Sequence, residues 1–335
     1  MATRSSKKKR PSGNRSGRPG AQKIVAHGGA QVQAAVRPAK FGDWVSAVRP
    51  ATLGLGFAPV LLGWAVAYLQ FLVDDLNPWD ALPITVVALC FLVALALQIG
   101  VNFANDYSDG IRGTDTHRVG PTRLTASGAA PAKQVRLVAF IFFGVAALAG
   151  LGVTVLTQIW WLPAVGAAAI AAAWFYTGGK KPYGYSGLGE IVVFIFFGLV
   201  ATTGTAFLLV QAVWIDSILA GVAMGLFSMA VLHINNVRDR ATDIAAGKRT
   251  LATRIPLWLG RAFFTLLVLA PFGILVYFSL ILISAGWAFF ALFIAAPALL
   301  ITWTATTARE YVLVLKLTVW TCLAYAALLA YAFAF

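Results

Sequence analysis

Beyond about residue 50 the chain alternates long uncharged runs with short polar ones. Apolar runs fall at 52–72, 81–105, 135–157, 159–177, 188–211, 214–236, 261–284, 286–306 and 313–334. A helix rises 1.5 Å per residue and the hydrocarbon core of a bilayer is about 30 Å thick, so roughly 20 apolar residues cross it. The pattern therefore predicts nine helices and an all-α, polytopic membrane fold. Connections are short except after the second and sixth runs, and long loops on a rigid scaffold are where function concentrates.

Composition agrees. Hydrophobic residues fill 60% of the 335 positions and charged residues only 11%, unlike the quarter charged residues of an average soluble domain. The formal charge of +14 would suggest nucleic acid in a soluble protein. Here its placement follows membrane sidedness instead, so no nucleic-acid partner is expected and contact with membrane lipid is. Residues 1–42 carry ten basic residues and no acid in a Gly-, Ser- and Pro-rich context, which predicts a disordered basic tail preceding a membrane domain at 43–335. With that tail on the cytoplasmic side, nine crossings place every remaining Lys and Arg in inner loops and leave only acids, such as Asp74, Asp75 and Asp216, outside; this obeys the positive-inside rule. The C-terminus then lies on the opposite side of the cell membrane. Cys90 and Cys322 sit far apart in apolar runs and read as packing residues.

The chemistry gathers at the two long inner loops. The first begins "NFANDYSDGIRGTD" (102–115) and the second "INNVRDRATDIAAGKRTLATR" (234–254). Asn105 and Asn235 are 130 residues apart, and an apolar run precedes each, which points to an internal repeat with two similar acidic ends. Asp106 and Asp109 at i, i+3 and Asp239 and Asp243 at i, i+4 each share a helix face. Neighbouring carboxylates repel and lose hydration at a membrane, so a cation must balance them. Two sources stay open: the nearby Arg and Lys as structural partners, or Mg²⁺, which prefers carboxylate, amide and phosphate oxygens. Arg112, Arg123, Arg238, Lys248 and Arg249 flank the acids and suit phosphate oxygens. Acids for metal and bases for phosphate together suggest a diphosphate with an apolar, prenyl tail. A third inner loop, "YTGGKKPYGYSGLGE" (176–190), adds Tyr176, Lys180, Lys181 and Glu190. Glu190 is read either as an anion at a helix N-terminus or as a substrate-facing group, and His117 and His233 as structural.

The motifs "NDYSDGIRGTD", "VGPTRLTASG", "YTGGKKPYGYSGLGE" and "NNVRDRATDIAAGKRTLATR" resemble the UbiA superfamily of intramembrane prenyltransferases over about residues 43–335. Within it they look like the 1,4-dihydroxy-2-naphthoate polyprenyltransferase branch. The resemblance implies a nine-helix UbiA-type bundle. It also implies that Asp106, Asp109, Asp239 and Asp243 bind diphosphate through Mg²⁺ at the catalytic site, with Asn105 and Asn236 assisting. Asp115 matches the last acid of the first motif at a different spacing. Arg49, in "VRPATL", matches a phosphate-contacting position, and Lys181 a basic position after the Tyr176 motif. The implied substrates are polyprenyl diphosphate and 1,4-dihydroxy-2-naphthoate, joined with loss of CO₂ to give demethylmenaquinone. Other aromatic acceptors such as 4-hydroxybenzoate fit the same scaffold. An ion-coupled transporter is the rival from another class, although its charges would be expected at mid-membrane beside broken helices.

Overall fold

The computed structural model describes residues 37–78, 83–113 and 123–335. Asp115 and His117 lie outside these residues, as does nearly all of the basic tail.

A short helix precedes the first crossing. α1 (Phe41–Val48) starts where the Asp43 carboxylate accepts from the Lys40 amide at 2.8 Å and pairs with both terminal nitrogens of Arg37 at 3.0 Å. These two interactions hold the Asp43 carboxyl below its usual range, the backbone bond contributing most. The chain then turns sharply at Arg49, which takes a left-handed backbone (φ 57°), and Pro50 opens α2 (Pro50–Val73) with a φ already suited to a helix. A left-handed conformation in a non-glycine residue costs about 1–3 kcal/mol, so Arg49 is held there by its surroundings.

Eight helices among the described residues are long and apolar enough to cross a membrane. They are α2, α3 (Ile84–Arg112), α4 (Ala132–Thr157), α6 (Gly189–Val210), α7 (Ile215–Arg238), α10 (Leu257–Ile281), α11 (Ile283–Thr304) and α12 (Ala308–Ala334). The ninth apolar helix, α5 (Leu162–Phe175), occupies the predicted fourth place but has only 14 residues, about 21 Å of rise. Its predicted run included Trp160 and Trp161, which form the turn before it, and Tyr176 and Thr177, which belong to the following loop. Helices α3 and α7 run on through Arg112 and Arg238, so Asn105, Asp106 and Asp109 and also Asn235 and Asn236 are carried on helix ends, while Asp239 caps α7 and Asp243 lies on a short helix in the loop beyond it. Short helices α8 (Arg240–Ala245) and α9 (Leu251–Arg254) shape the loop that follows α7.

The packing is asymmetric. A large core joins α2, α7, α10, α11 and α12 around Phe227, Phe264, Phe272 and Tyr325, whereas a smaller one joins α1, α3 and α4 around Phe103 and Phe143. In α2 and α7 two-thirds of the spanning window (67%) is buried, against 28% in α3. α10 packs mainly on α7, whereas α12 packs on both α2 and α7 and α11 on α12 and α10, so these three helices back the pair that is most deeply buried.

α6 is π-helical over Phe194–Thr203 and packs tightly on α7. A Cβ on Gly198 would lie 2.5 Å from the Gly221 carbonyl oxygen and from the Gly225 Cα. Backbone cannot yield as a side chain would, and overpacking typically costs about 1–3 kcal/mol. Gly198→Ala should therefore lower the thermal unfolding midpoint in detergent. Gly144→Ala, where a Cβ meets nothing within 4 Å, should leave it unchanged or raise it. Equal midpoints for the two variants would show that the contact does not hold α6 against α7.

Candidate active site at the joined helix ends

A cavity of about 540 Å³ lies among α2, α3, α4, α5, α6 and α7. Its deep walls are apolar, including Val60, Val93, Leu97, Phe197 and Leu208. At one end Asn105 and Asp109 from α3 meet Asn235, Asn236, Asp239 and Asp243 from the second motif. The two motifs thus converge as the repeat predicts.

One ammonium group links them. Lys248 Nζ lies 3.8 Å from Asp109 Oδ1 and 3.4 Å from Asp243 Oδ1. It also sits over the Tyr185 ring, 4.5 Å from the centroid, a cation–π contact. Tyr185 donates its hydroxyl proton to Asp109 at 2.6 Å, a length typical of a hydrogen bond to a charged acceptor. Its carbonyl accepts from the Arg249 amide at 2.9 Å, and the Ser186 carbonyl accepts from Arg254 at 2.8 Å. The third inner loop is therefore fastened to both motifs. On its other flank Thr177 donates to Asn105 Oδ1 at 2.7 Å, and Arg112 donates to the carbonyls of Thr177 and Gly179. Tyr183 donates to the Ala172 carbonyl at 2.8 Å, and burial pushes its hydroxyl well above the ordinary tyrosine range, so it stays a donor.

Asp239 is gripped by its neighbour. Arg238 Nε and one terminal nitrogen reach its two oxygens at 2.7 and 2.8 Å, and the same terminal nitrogen donates to Asn235 Oδ1 at 2.8 Å. Asn236 donates to Glu190 Oε1 at 3.0 Å, and His233 Nδ1 lies 3.6 Å from that oxygen. His233 Nε2 faces the Gly260 carbonyl at 3.1 Å; a carbonyl only accepts, so this nitrogen carries a proton. His233 is buried as a structural residue, as expected. Glu190 is buried in the first turn of α6, where the helix-N-terminus reading places it, and it accepts from Asn236 without lining the cavity.

The structure separates the other sequence candidates. Arg49, Arg123, Tyr176 and Lys248 line the cavity with Asp109, Asp239, Asp243, Asn105 and Asn236. Asp106 does not: its two oxygens accept from the Leu124 and Thr125 amides, both at 2.9 Å, and it is 2% exposed. It holds the turn that carries Arg123 into place. Arg112 is spent on loop carbonyls and Arg238 on Asp239. Lys181 is exposed away from the cavity, and Arg249 is exposed in a shallow surface depression with Ile244 and Thr253. Residues absent from the candidate set also line it, notably Asn102, whose amide donates to the Val48 carbonyl at 2.8 Å, and Tyr185, Asn235, Gln98 and Ser228. Helical spacing was the available signal, since Asn102, Asn105 and Asp109 lie on one face.

The donor set suits Mg²⁺. Carboxylate and amide oxygens from both motifs face one space, and a side-chain ammonium already occupies the position of a positive charge between two of the carboxylates. Among the described residues no three His, Cys, Asp or Glu side chains close on a common point. Mg²⁺ commonly binds through one or two carboxylates while substrate phosphate completes its shell.

The role of Asp106 is testable. Asp106→Asn retains one acceptor against two amide donors, and a hydrogen bond to a charged group contributes about 1.5–3 kcal/mol. Amide exchange across 124–130 should speed up by at least about tenfold, while Asp109→Asn should leave that segment as protected as before. Unaltered exchange in Asp106→Asn would overturn this assignment.

Comparison with known proteins agrees with the fold and the motifs. The profile of the UbiA prenyltransferase family matches residues 64–322. The chain is 50% identical over 220 residues to a 1,4-dihydroxy-2-naphthoate octaprenyltransferase of Mycobacterium tuberculosis, covering 65% of this chain and 71% of that one. It is 33% identical over 273 residues to the Escherichia coli protein of the same name, covering 80% and 85%. Its fold is similar to that of a UbiA homolog from Archaeoglobus fulgidus bound to DMAPP and Mg²⁺, with a TM-score of 0.53, 14% identity, and coverage of 85% of this chain and 99% of that one. Sequence, fold and the pairing of two Asn/Asp-bearing helix ends over an apolar cavity place this membrane protein in the UbiA prenyltransferase family.

Proposed function

We propose that this protein transfers a polyprenyl group from polyprenyl diphosphate to 1,4-dihydroxy-2-naphthoate, with loss of CO₂, to give demethylmenaquinone at its quinol level of oxidation. The observation that carries the reading is the amphiphilic cavity, with paired motifs at one end and an apolar chamber beneath. This shape fits a diphosphate with a long hydrocarbon tail, and the named relatives supply the acceptor.

Asp109, Asp239 and Asp243, with the amide oxygens of Asn235 and Asn236, would hold Mg²⁺ and diphosphate at the mouth. When bound, the metal would offset charge that builds on the departing diphosphate. Lys248, on a flexible stem, is placed to exchange a carboxylate for a phosphate oxygen. Arg123 and Arg49 add positive charge on the facing wall. Arg238 and Tyr185 fix the orientations of Asp239 and Asp109, so the acids do not reorganise when charge develops. The apolar walls exclude water, which would otherwise capture the allylic cation. The aromatic ring then attacks the allylic carbon as its bond to the diphosphate oxygen breaks, and the carboxylate leaves as CO₂. The distribution of Lys and Arg supports a mouth on the cytoplasmic side of the cell membrane, with the C-terminus opposite.

The test is an assay in nanodiscs with Mg²⁺, farnesyl or a longer polyprenyl diphosphate, and either 1,4-dihydroxy-2-naphthoate or 4-hydroxybenzoate, with lipid products followed by mass spectrometry. A decarboxylated prenyl naphthoquinol should form only with the naphthoate and vanish with EDTA. Asp109→Asn, Asp239→Asn and Asp243→Asn should each lower kcat/KM at least about a hundredfold, the scale of losing one preorganised charge at a reaction centre. Product from the benzoate alone would overturn the acceptor while keeping the chemistry.

A further inference from the structure

The 130-residue offset that superposes Asn105 on Asn235 and Asp109 on Asp239 also superposes Gln98 on Ser228. Each lies eleven residues before its aspartate, about 16 Å deeper along the helix. Both line the cavity, with Leu97, Val231 and Leu232 beside them, and both are buried, at 6% and 1% exposure. A polar side chain at that depth is costly, and its retention in a membrane protein points to a partner.

Ser228 has no hydrogen-bond partner for its hydroxyl. Hydroxyls on membrane helices elsewhere in this protein donate to the carbonyl four residues back, as Thr154, Thr205, Thr302 and Thr318 do at 2.6–2.9 Å; Ser228 does not. Ser108 and Thr202 are also unpartnered but do not line the cavity, and Thr250, which does, lies at the mouth close to Lys248. Gln98 is half-committed. The Thr52 hydroxyl donates to the Arg49 carbonyl at 3.0 Å, so it can only accept from Gln98, which places Gln98 Nε2 toward Thr52 at 3.4 Å. Gln98 Oε1 then faces away as an acceptor. One acceptor and one hydroxyl, both uncharged, match a neutral group that donates and accepts, and not a carboxylate or phosphate.

We propose that Gln98 and Ser228 bind the ring hydroxyl of the aromatic acceptor that lies farther from the diphosphate, and so select a dihydroxylated ring. This rests on the function proposed above. The hydroxyl donates to Gln98 Oε1 and accepts from Ser228, leaving the opposite edge of the ring toward the donor carbon near Asp109 and Asp239. A site built to hydrogen-bond a hydroxyl discriminates strongly against an analogue that lacks it, because its own polar groups are left unpaired.

The test uses the full chain in nanodiscs with Mg²⁺ and farnesyl diphosphate. It compares wild type, Ser228→Ala and Gln98→Met for three quantities: KM for 1,4-dihydroxy-2-naphthoate, Ki for 1-hydroxy-2-naphthoate as competitor, and KM for the donor. In each variant the KM for the dihydroxy acceptor should rise about tenfold, with the other two constants unchanged. The unfolding midpoint of substrate-free Ser228→Ala should be unchanged or raised, because the variant removes an unpaired buried hydroxyl. A merely structural serine would lower that midpoint. A joint rise of KM and Ki, as from loss of a bound water, would overturn the proposal, as would a rise in donor KM. A wild type that makes no prenyl naphthoquinol would overturn both this proposal and the function on which it rests.

Discussion

Two carboxylates from different repeats share one ammonium, and the arrangement of the cavity mouth follows from that. Asp109 and Asp243 are each less than a tenth exposed, where an uncompensated charge costs several kcal/mol. Lys248 offsets both while its ammonium sits over the Tyr185 ring. Tyr185 in turn is bonded through its hydroxyl to the first motif and through its carbonyl to the second. Remove the shared cation and the two helix ends repel, with the third loop losing the charge it packs against. Arg238 answers the same demand differently: its planar fork fixes Asp239 in one geometry, whereas the ammonium of Lys248 is a point charge that can be shared or handed over.

Most of the fold was legible because bilayer crossings impose one length on every element. The nine apolar runs of the sequence correspond to eight long helices and the shorter α5. The difference in α5 has a local cause: Trp160 and Trp161 before it and Tyr176 and Thr177 after it carry no charge and so extend the run, but they lie in turns outside the helix. The pairing of the motifs was also legible, since equal spacing after equal apolar runs brings both to one face.

Which acids face the cavity was not legible. Asp106 and Asp109 have the same chemistry and sit one turn apart, yet Asp106 turns toward the amides of Leu124 and Thr125. Nothing in the spacing of the motif reveals where a loop eighteen residues later will lie. Arg112 misleads for the same reason: a guanidinium suited to phosphate is equally suited to the carbonyls of a Gly-rich loop, and the loop reaches it first. Sequence counts donors and acceptors, but the fold decides which of them are already satisfied.

The repeat register orders these differences. Asp109 and Asp239 are equivalent, and both face the cavity; Asp106 is equivalent to Asn236, and both bond a segment outside their own helix, the 124–125 turn in one case and Glu190 in the other. The first position of each pair therefore fixes surrounding structure and the later one supplies charge at the mouth. Deeper on the same helices, Gln98 and Ser228 repeat the placement but not the bonding, because Thr52 engages one and nothing engages the other. Two helices with matched motif spacing supply equivalent positions, whereas a reaction between an apolar chain and a flat ring needs asymmetric walls. In this bundle the asymmetry enters through the residues that differ at equivalent places on the two helices, Asp106 against Asn236 and Gln98 against Ser228.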